Sequence, residues 1–122
     1  MITHTHYANL PTYLTKDNST VRELLHPTSS ATRNQSLAEA IVKAGDATLL
    51  HCHLVTEEIY HITQGQGLMR LGETTFKVVL GDSIVIAPGT PHNIANTGNT
   101  PLKILCASSP AYSHDDTILL PR

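Results

Sequence analysis

Two histidines, His51 and His53, lie one residue apart near the middle of the chain. In an extended strand their side chains leave the same face about 7 Å apart, so both imidazoles can approach one metal ion. Glu58 follows after four further residues, and a hairpin there would bring its carboxylate back beside the pair. His92 follows the proline-containing turn 88–91 and could supply a third imidazole. Three imidazoles and one carboxylate suit a divalent ion, and an octahedral ion would keep two positions open for water or substrate.

The elements that must position these residues are short strands. From Gly45 onward, turn signals recur at short intervals and separate β-branched or alternating segments, as at 76–80, 84–86 and 102–106. Several short strands with regular turn spacing predict an all-β, antiparallel sandwich or barrel. No helical pattern competes in this half of the chain.

The segment 36–43 has conflicting local signals. Ser36 and Glu39 resemble a capping box, which favours a helix. The alternation of Leu37, Glu39 and Ile41 also fits one face of a strand, and sheet context commonly overrides helix propensity over so short a run. We therefore predict a strand. Residues 1–20 are polar and mixed, and 110–122 are expected to form an irregular tail with one apolar segment, 118–120. Both ends could wrap around the barrel or a second subunit.

Size and composition exclude several classes of protein. A chain of 122 residues with 40% apolar and 15% charged residues predicts one folded domain spanning 1–122. A net charge of -2 with scattered Lys and Arg argues against nucleic acid as a partner. Residues 1–9 do not resemble a secretory signal, and no apolar run approaches a membrane span. We expect a cytoplasmic protein in which Cys52 and Cys106 are free thiols.

Nine positions resemble the two motifs of the cupin family. The first motif, G-x5-H-x-H-x(3,4)-E-x6-G, is matched by Gly45, His51, His53, Glu58 and Gly65. The second, G-x5-P-x-G-x2-H-x3-N, is matched by Gly81, Gly89, His92 and Asn96, with Ala87 in place of the proline and Pro88 beside it. The 15 residues between Gly65 and Gly81 are similar to the spacing of compact bacterial cupins. The resemblance covers residues 36–107, with extensions at both ends.

The resemblance implies a double-stranded β-helix of six to eight strands with a metal ion near one open end, frequently in a homodimer. Its ligands would be His51, His53, Glu58 and His92. One divalent ion is expected, with Mn or Fe preferred and Zn, Ni or Co as alternatives.

The family does not share one activity, so the fold leaves the function open. The first hypothesis is a metal-dependent enzyme that acts on a small organic molecule, of decarboxylase, isomerase or dioxygenase type. The alternative is a non-catalytic module that binds or senses a small molecule. A domain that reports ligand binding to DNA ranks last, because no segment is free to form a helix-turn-helix.

Glu57 and the histidines outside the two motifs are alternative candidates for metal ligands. Glu57 is the alternative carboxylate, but only Glu58 gives six residues to Gly65, and it would share a face with Tyr60 and Ile62. Histidines outside the motifs are interpreted as follows: His61 points to the opposite face, His4 and His6 are solvated, and His26 is structural.

Substrate contacts are less clearly marked in the sequence. Tyr60 is one candidate, together with Met69 and Phe76 as cavity linings, although core packing explains each equally well. His114 lies in a tail rich in hydroxyl and carboxylate groups and could act as an acid or base if that tail crosses the barrel mouth. The apolar loop 54–56 is expected at the same mouth.

Overall fold

The structure is a computed structural model that describes residues 3–121, and its strands form two antiparallel sheets. The strands are β1 (Tyr13–Leu14), β2 (Thr20–Leu25), β3 (Ser36–Val42), β4 (His51–His53), β5 (Glu57–Gln64), β6 (Gln66–Leu71), β7 (Thr74–Val79), β8 (Ser83–Ile86), β9 (His92–Asn96), β10 (Leu102–Ser109) and β11 (Thr117–Leu119). One sheet has the order β1-β2-β3-β10-β5-β8, and the other has the order β11-β4-β9-β6-β7. Two single 3-10 turns, Tyr7–Asn9 and His114–Asp116, complete the secondary structure of this range. The predicted all-β class is confirmed.

The core is made by the alternating inward residues of both sheets. Ile62, Met69, Ile94, Leu102 and Ile104 are at most 1% exposed. Burial of each such side chain contributes about 1.5–3 kcal/mol to the free energy of unfolding. Within 3–121, no helix is long and apolar enough to cross a membrane.

Segment 36–42 is a strand, as predicted from its alternation. β3 pairs with β2 on one side and with β10 on the other, so both of its edges are hydrogen-bonded. Ser36, Ala40 and Val42 are buried, whereas Leu37 and Ile41 lie on the opposite, partly exposed face. The local capping signal is overridden because two neighbouring strands satisfy the backbone that a helix would satisfy internally.

The chain between β4 and β5 is not the hairpin expected from the sequence. β4 belongs to the five-stranded sheet and β5 to the six-stranded sheet, so residues 54–56 carry the chain from one sheet to the other. The C-terminal tail holds this crossing, because the Asp116 carboxylate accepts hydrogen bonds from the N–H groups of Val55 (3.0 Å) and Thr56 (3.1 Å). Glu58 therefore approaches the histidine pair from the facing sheet.

Both terminal extensions are part of the sheets. The N-terminal extension supplies β1 and β2, and β2 pairs with β3. The expectation of an irregular C-terminal tail is wrong for Thr117–Leu119, which pairs with β4 so that Thr117 lies opposite His53 and Leu119 opposite His51. A strand of three residues has too little pattern to be recognised in the sequence, and its pairing with β4 defines it.

Candidate metal centre

The three motif histidines converge inside the barrel. His51 and His53 extend from β4, and His92 extends from the neighbouring strand β9, where it is the direct cross-strand partner of His51. One ring nitrogen of each histidine lies within 4.8 Å of the others. The three side chains are buried. The same-face geometry predicted for His51 and His53 is therefore observed.

Glu58 reaches this cluster from β5 in the opposite sheet. Its Oε1 lies 2.9 Å from His53 Nε2 and 3.5 Å from His92 Nε2. The Ser108 hydroxyl donates a hydrogen bond to Oε2 at 3.4 Å. The neighbouring Glu57 is exposed on the other face of the strand. The geometry thus favours Glu58 over Glu57 as the carboxylate of this site.

The tautomers of His51 and His92 are fixed by backbone carbonyls. Nδ1 of His51 donates to the carbonyl of Leu49 at 2.7 Å, and Nδ1 of His92 donates to the carbonyl of Thr90 at 2.9 Å. A carbonyl oxygen can only accept, so the proton of each neutral ring lies on Nδ1. The Nε2 lone pairs are then free to bind a metal.

His53 is oriented by the C-terminal tail. The Thr117 hydroxyl donates its proton to the carbonyl of Ser113 at 3.0 Å, so it accepts from Nδ1 of His53 at 3.1 Å. This contact leaves the Nε2 lone pair of His53 facing Glu58. All three imidazoles therefore have the partner on Nδ1 that is typical of metal-ligating histidines.

The buried polar atoms of the cluster fit a cation. Within the described residues, Glu58 Oε1 and His92 Nε2 are buried and have no hydrogen-bond partner. Adjacent donors around an octahedral ion with bonds of ~2.1 Å lie ~3.0 Å apart. The distances of 2.9 and 3.5 Å from Glu58 Oε1 to the two histidines are close to this value. Electron-pair donors converge here, and a divalent ion is the group that would satisfy them.

Burial and charge set the protonation of the site. Burial and the neighbouring His92 lower the pKa of His51. Burial also acts to lower the pKa of His53, but contact with the Glu58 carboxylate outweighs it and raises that pKa. Burial acts to raise the pKa of Glu58, yet His53 and His92 bring it to about 2. Glu58 is thus anionic at neutral pH, and metal binding would displace any proton held by His53.

A cavity of about 50 Å³ opens beside the cluster. A single water needs about 10–15 Å³, so the cavity has room for a small ligand. Its walls come from the N-terminal extension, from β3, β4, β5 and β10, and from the C-terminal tail: Tyr13, Thr15, Asp17, Ser19, Val21, Glu23, Ser36, Ala38, Ala40, His51, His53, Glu58, Tyr60, Cys106, Ser108, Tyr112 and Thr117.

The sequence-predicted substrate residues are placed differently from one another. Tyr60 lines the cavity, with its ring 6.0 Å from that of His92. His114 is exposed on the tail and is outside the cavity walls, so the geometry does not place it at the histidine cluster. Met69 is packed in the core and Phe76 against it, and neither lines the cavity.

Two residues near the centre, Tyr112 and Asp17, were not predicted as site residues. Tyr112 lies in the same tail as His114, and its ring is 5.9 Å from the ring of His53. Asp17 lies in the N-terminal extension, with Oδ2 3.4 Å from His51 Nε2. The only local sign of Asp17 is the turn-forming run Asp17–Ser19, which indicates a turn and no ligand.

The tyrosines of the cavity are hydrogen-bond donors. Burial raises the pKa of the Tyr60 hydroxyl well above its usual range, and the charge of Glu58 adds to this effect. Burial raises the pKa of Tyr112, and burial with the charge of Glu23 raises the pKa of Tyr13. These phenols stay neutral at physiological pH.

The remaining histidines and both cysteines lie as expected. His61 contacts the Ser83 hydroxyl at 2.8 Å on the face away from the cavity, and His4 and His6 are exposed. His26 Nε2 donates to the carbonyl of Tyr112 at 2.7 Å, which gives it a structural role. Both cysteines are free and buried.

Comparison with known proteins identifies relatives along most of the chain. Residues 38–108 match the family described as "Cupin domain". An uncharacterized protein of Methanocaldococcus jannaschii is 56% identical over 119 residues, which are 98% of this chain and 95% of that protein. That relative is archaeal, so the bacterial character expected from the motif spacing is not confirmed.

Solved structures share the architecture. A Klebsiella pneumoniae protein with a double-stranded β-helix domain has a TM-score of 0.71 at 16% identity and covers 85% of each chain. The oxalate decarboxylase of Lactobacillus farciminis has a TM-score of 0.80 at 25% identity over 94% of this chain but only 35% of that one. The double-stranded β-helix implied by the motifs is confirmed.

Proposed function

The chain belongs to the cupin family, and from this membership we propose a metal-dependent enzyme that acts on a small organic molecule. Its divalent ion would be held by His51, His53, His92 and Glu58. The observation that carries this proposal is the convergence of four buried electron-pair donors, three of which, His51, His53 and Glu58, line a cavity. Glu58 Oε1 and His92 Nε2 lack any hydrogen-bond partner in the described chain.

Manganese or iron is the proposed ion, with zinc, nickel and cobalt compatible with the same donors. When bound, such an ion supplies Lewis-acid polarisation of a carbonyl or carboxylate oxygen, or oxygen activation in the case of Fe(II). Other residues of the chain orient these ligands. Leu49, Thr90 and Thr117 fix the imidazoles, and Ser108 donates a hydrogen bond to Oε2 of Glu58.

Replacing Glu58 should weaken metal binding, whereas replacing its neighbour should not. In Glu58→Gln the neutral amide gives up the charge that faces His53 and His92, so we expect the metal dissociation constant to rise about 10- to 100-fold. Glu57→Gln removes the same charge from the exposed face and should stay within about twofold. Titration of both variants with Mn(II), followed by electron paramagnetic resonance, measures the difference. Equal affinities would contradict the assignment of Glu58.

The charges of the cavity favour an uncharged substrate. Three carboxylates, Asp17, Glu23 and Glu58, belong to its walls, and the described lining contains neither Lys nor Arg. A divalent ion with neutral imidazoles would leave this cavity with a net negative charge, which opposes the entry of an anion. The neutral phenols of Tyr60 and Tyr112 can donate hydrogen bonds to hydroxyl or carbonyl oxygens of a substrate.

These charges also rank the candidate reactions. A decarboxylase must bind a carboxylate, and the proposed ion would have to receive it without help, because no Lys or Arg lines the described cavity. Isomerisation or oxygen chemistry on a neutral hydroxy- or carbonyl compound is therefore the favoured type. The likeness to an oxalate decarboxylase covers only 35% of that enzyme and does not extend its substrate to this chain.

Binding of small ligands to the Co(II)-loaded protein tests this proposal. We expect imidazole, which binds metals as an uncharged molecule through one nitrogen, to change the visible spectrum of the bound ion, because an open coordination position accepts an added ligand. Oxalate should bind the protein-bound ion more weakly than the neutral ligand does. For this comparison, the affinity of each compound for the protein-bound ion is divided by its affinity for free Co(II). A spectrum unchanged by either compound, with unfolding on metal removal, would instead support a non-catalytic module whose metal is structural. Preferential binding of oxalate would overturn the uncharged substrate class.

We also propose the domain organisation, the cellular location, the oligomeric state and the partners of the protein. Residues 1–122 would act as one cupin domain, since both extensions pair into the two sheets. A cytoplasmic homodimer with a small-molecule ligand, and with neither nucleic acid nor membrane as partner, is the proposed state. Support for the dimer comes from Ile59 and Val85, cross-strand partners on the outer face that are 47% and 61% exposed.

A further inference from the structure

The turn between β1 and β2 fixes one oxygen of Asp17. Oδ1 accepts hydrogen bonds from the Thr15 hydroxyl (2.6 Å), the Ser19 N–H (3.0 Å) and the Ser19 hydroxyl (2.7 Å). Asn18, at the tip, has a φ of 74°, which permits the tight reversal. With Oδ1 fully used by the turn, the second oxygen Oδ2 is directed elsewhere.

The same turn is anchored to the strand that carries the histidine pair. The carbonyl of Asp17 accepts a hydrogen bond from the N–H of Leu49 at 2.8 Å, two residues before His51. This contact sets the position of the carboxylate relative to β4. Oδ2 consequently lies 3.4 Å from Nε2 of His51, and the Asp17 side chain is only 14% exposed.

The contact between Asp17 and His51 joins two electron-pair donors. Because Nδ1 of His51 donates to the Leu49 carbonyl, the Nε2 of the neutral ring presents its lone pair toward Oδ2. Two facing lone pairs are stabilised by a cation between them, and 3.4 Å is near the ~3.0 Å between adjacent donors around an octahedral ion. We propose that Asp17 is a fifth protein ligand of the metal ion, through Oδ2.

This inference rests on the proposed metal centre and changes its chemistry. Asp17 lies outside residues 38–108 and outside both motifs, so it is a feature of the N-terminal extension. Two carboxylates, Asp17 and Glu58, would balance the charge of a divalent ion, and a second hard oxygen donor favours Mn(II) over softer ions. An octahedral ion would then keep one position open instead of two.

Mn(II) binding to Asp17→Asn tests the proposal, with Glu23→Gln as the matched control. Both variants remove one carboxylate from the same cavity, so their long-range effects on the ion are comparable. We expect the dissociation constant of Asp17→Asn to rise at least about tenfold and that of Glu23→Gln to stay within about twofold. Water proton relaxation should also show one more exchangeable water on Mn(II) in Asp17→Asn than in the wild type.

Two outcomes would overturn the assignment. The first is an affinity of Asp17→Asn equal to that of Glu23→Gln. The second is weaker binding without any increase in exchangeable water, which would mean that Asp17 acts on the ion from a distance. Ser19→Ala removes one of the three hydrogen bonds to Oδ1 but keeps the carboxylate, so it should weaken Mn(II) binding less than Asp17→Asn does. Failure of the wild type itself to bind Mn(II), Fe(II), Co(II), Ni(II) or Zn(II) would contradict the metal centre as a whole, a result distinct from either outcome.

Discussion

The double variant His51→Ala/His92→Ala is expected to lose nearly all of its bound metal, whereas the wild type should carry about one equivalent. The two imidazoles are direct cross-strand partners, and each is held by a carbonyl that directs Nε2 into the cluster. Loss of an outer-shell partner alone typically costs 10- to 100-fold in affinity, so loss of two ligands should cost about 10³-fold or more. The remaining His53 and Glu58, together with the proposed ligand Asp17, should bind an ion too weakly to keep it through dilution during purification.

Elemental analysis by mass spectrometry on protein grown in balanced metals measures this loss. The double variant His4→Ala/His6→Ala is the matched control, because it removes two histidines with the same spacing as His51 and His53 from an exposed segment. We expect that control to keep the wild-type metal content. The test is decided by the number of metal equivalents per chain and not by which metal is found. An expressed protein can acquire the most strongly binding ion in place of the physiological one. Equal metal in all three proteins, or none in the wild type, would mean that the site is degenerate.

The sequence predicted the four converging donors because their placement is local to strands. Alternation on β4 puts His51 and His53 on one face, and alternation on β9 puts His92 there as well. The choice of Glu58 over Glu57 likewise followed from spacing, and the burial of Glu58 supports it. The path of the chain between His53 and Glu58 was nevertheless mispredicted. The number of residues between them does not indicate that the chain crosses from one sheet to the other.

The contributions of the two extensions could not be predicted, because they depend on contacts between residues far apart in the chain. Asp17 meets His51 only because the Asp17 carbonyl accepts the Leu49 N–H. Thr117 meets His53 only because β11 pairs with β4. Neither pairing has a pattern in the sequence. In the C-terminal tail the sequence pointed to His114 as the candidate. The residues of the tail that line the cavity are instead Tyr112, which is partly exposed, and Thr117, which is buried.

Asn96 is the residue of the second motif that stabilises the fold and does not belong to the metal cluster. Asn96→Ala should lower the free energy of unfolding by about 2–4 kcal/mol. The Asn96 amide donates to the carbonyls of Val42 (2.9 Å) and Thr100 (2.8 Å), and its oxygen accepts the Gly98 N–H at 2.9 Å. Removing this side chain abolishes all three bonds, including the buried bond to the Val42 carbonyl. A fall in melting temperature of about 10 °C is the expected size of the effect.

Thermal unfolding followed by circular dichroism measures this loss, with Asn99→Ala as the control. Asn99 has the same side chain in the same turn but is exposed, so its removal should change stability by less than about 0.5 kcal/mol. Below its melting temperature, Asn96→Ala should still bind one metal equivalent, because Asn96 closes the turn that follows β9 and is not part of the His51, His53, His92 and Glu58 cluster. Equal stability of the two variants would show that the hydrogen bonds of Asn96 do not stabilise the fold. Loss of metal from folded Asn96→Ala would show instead that the motif asparagine serves the metal centre.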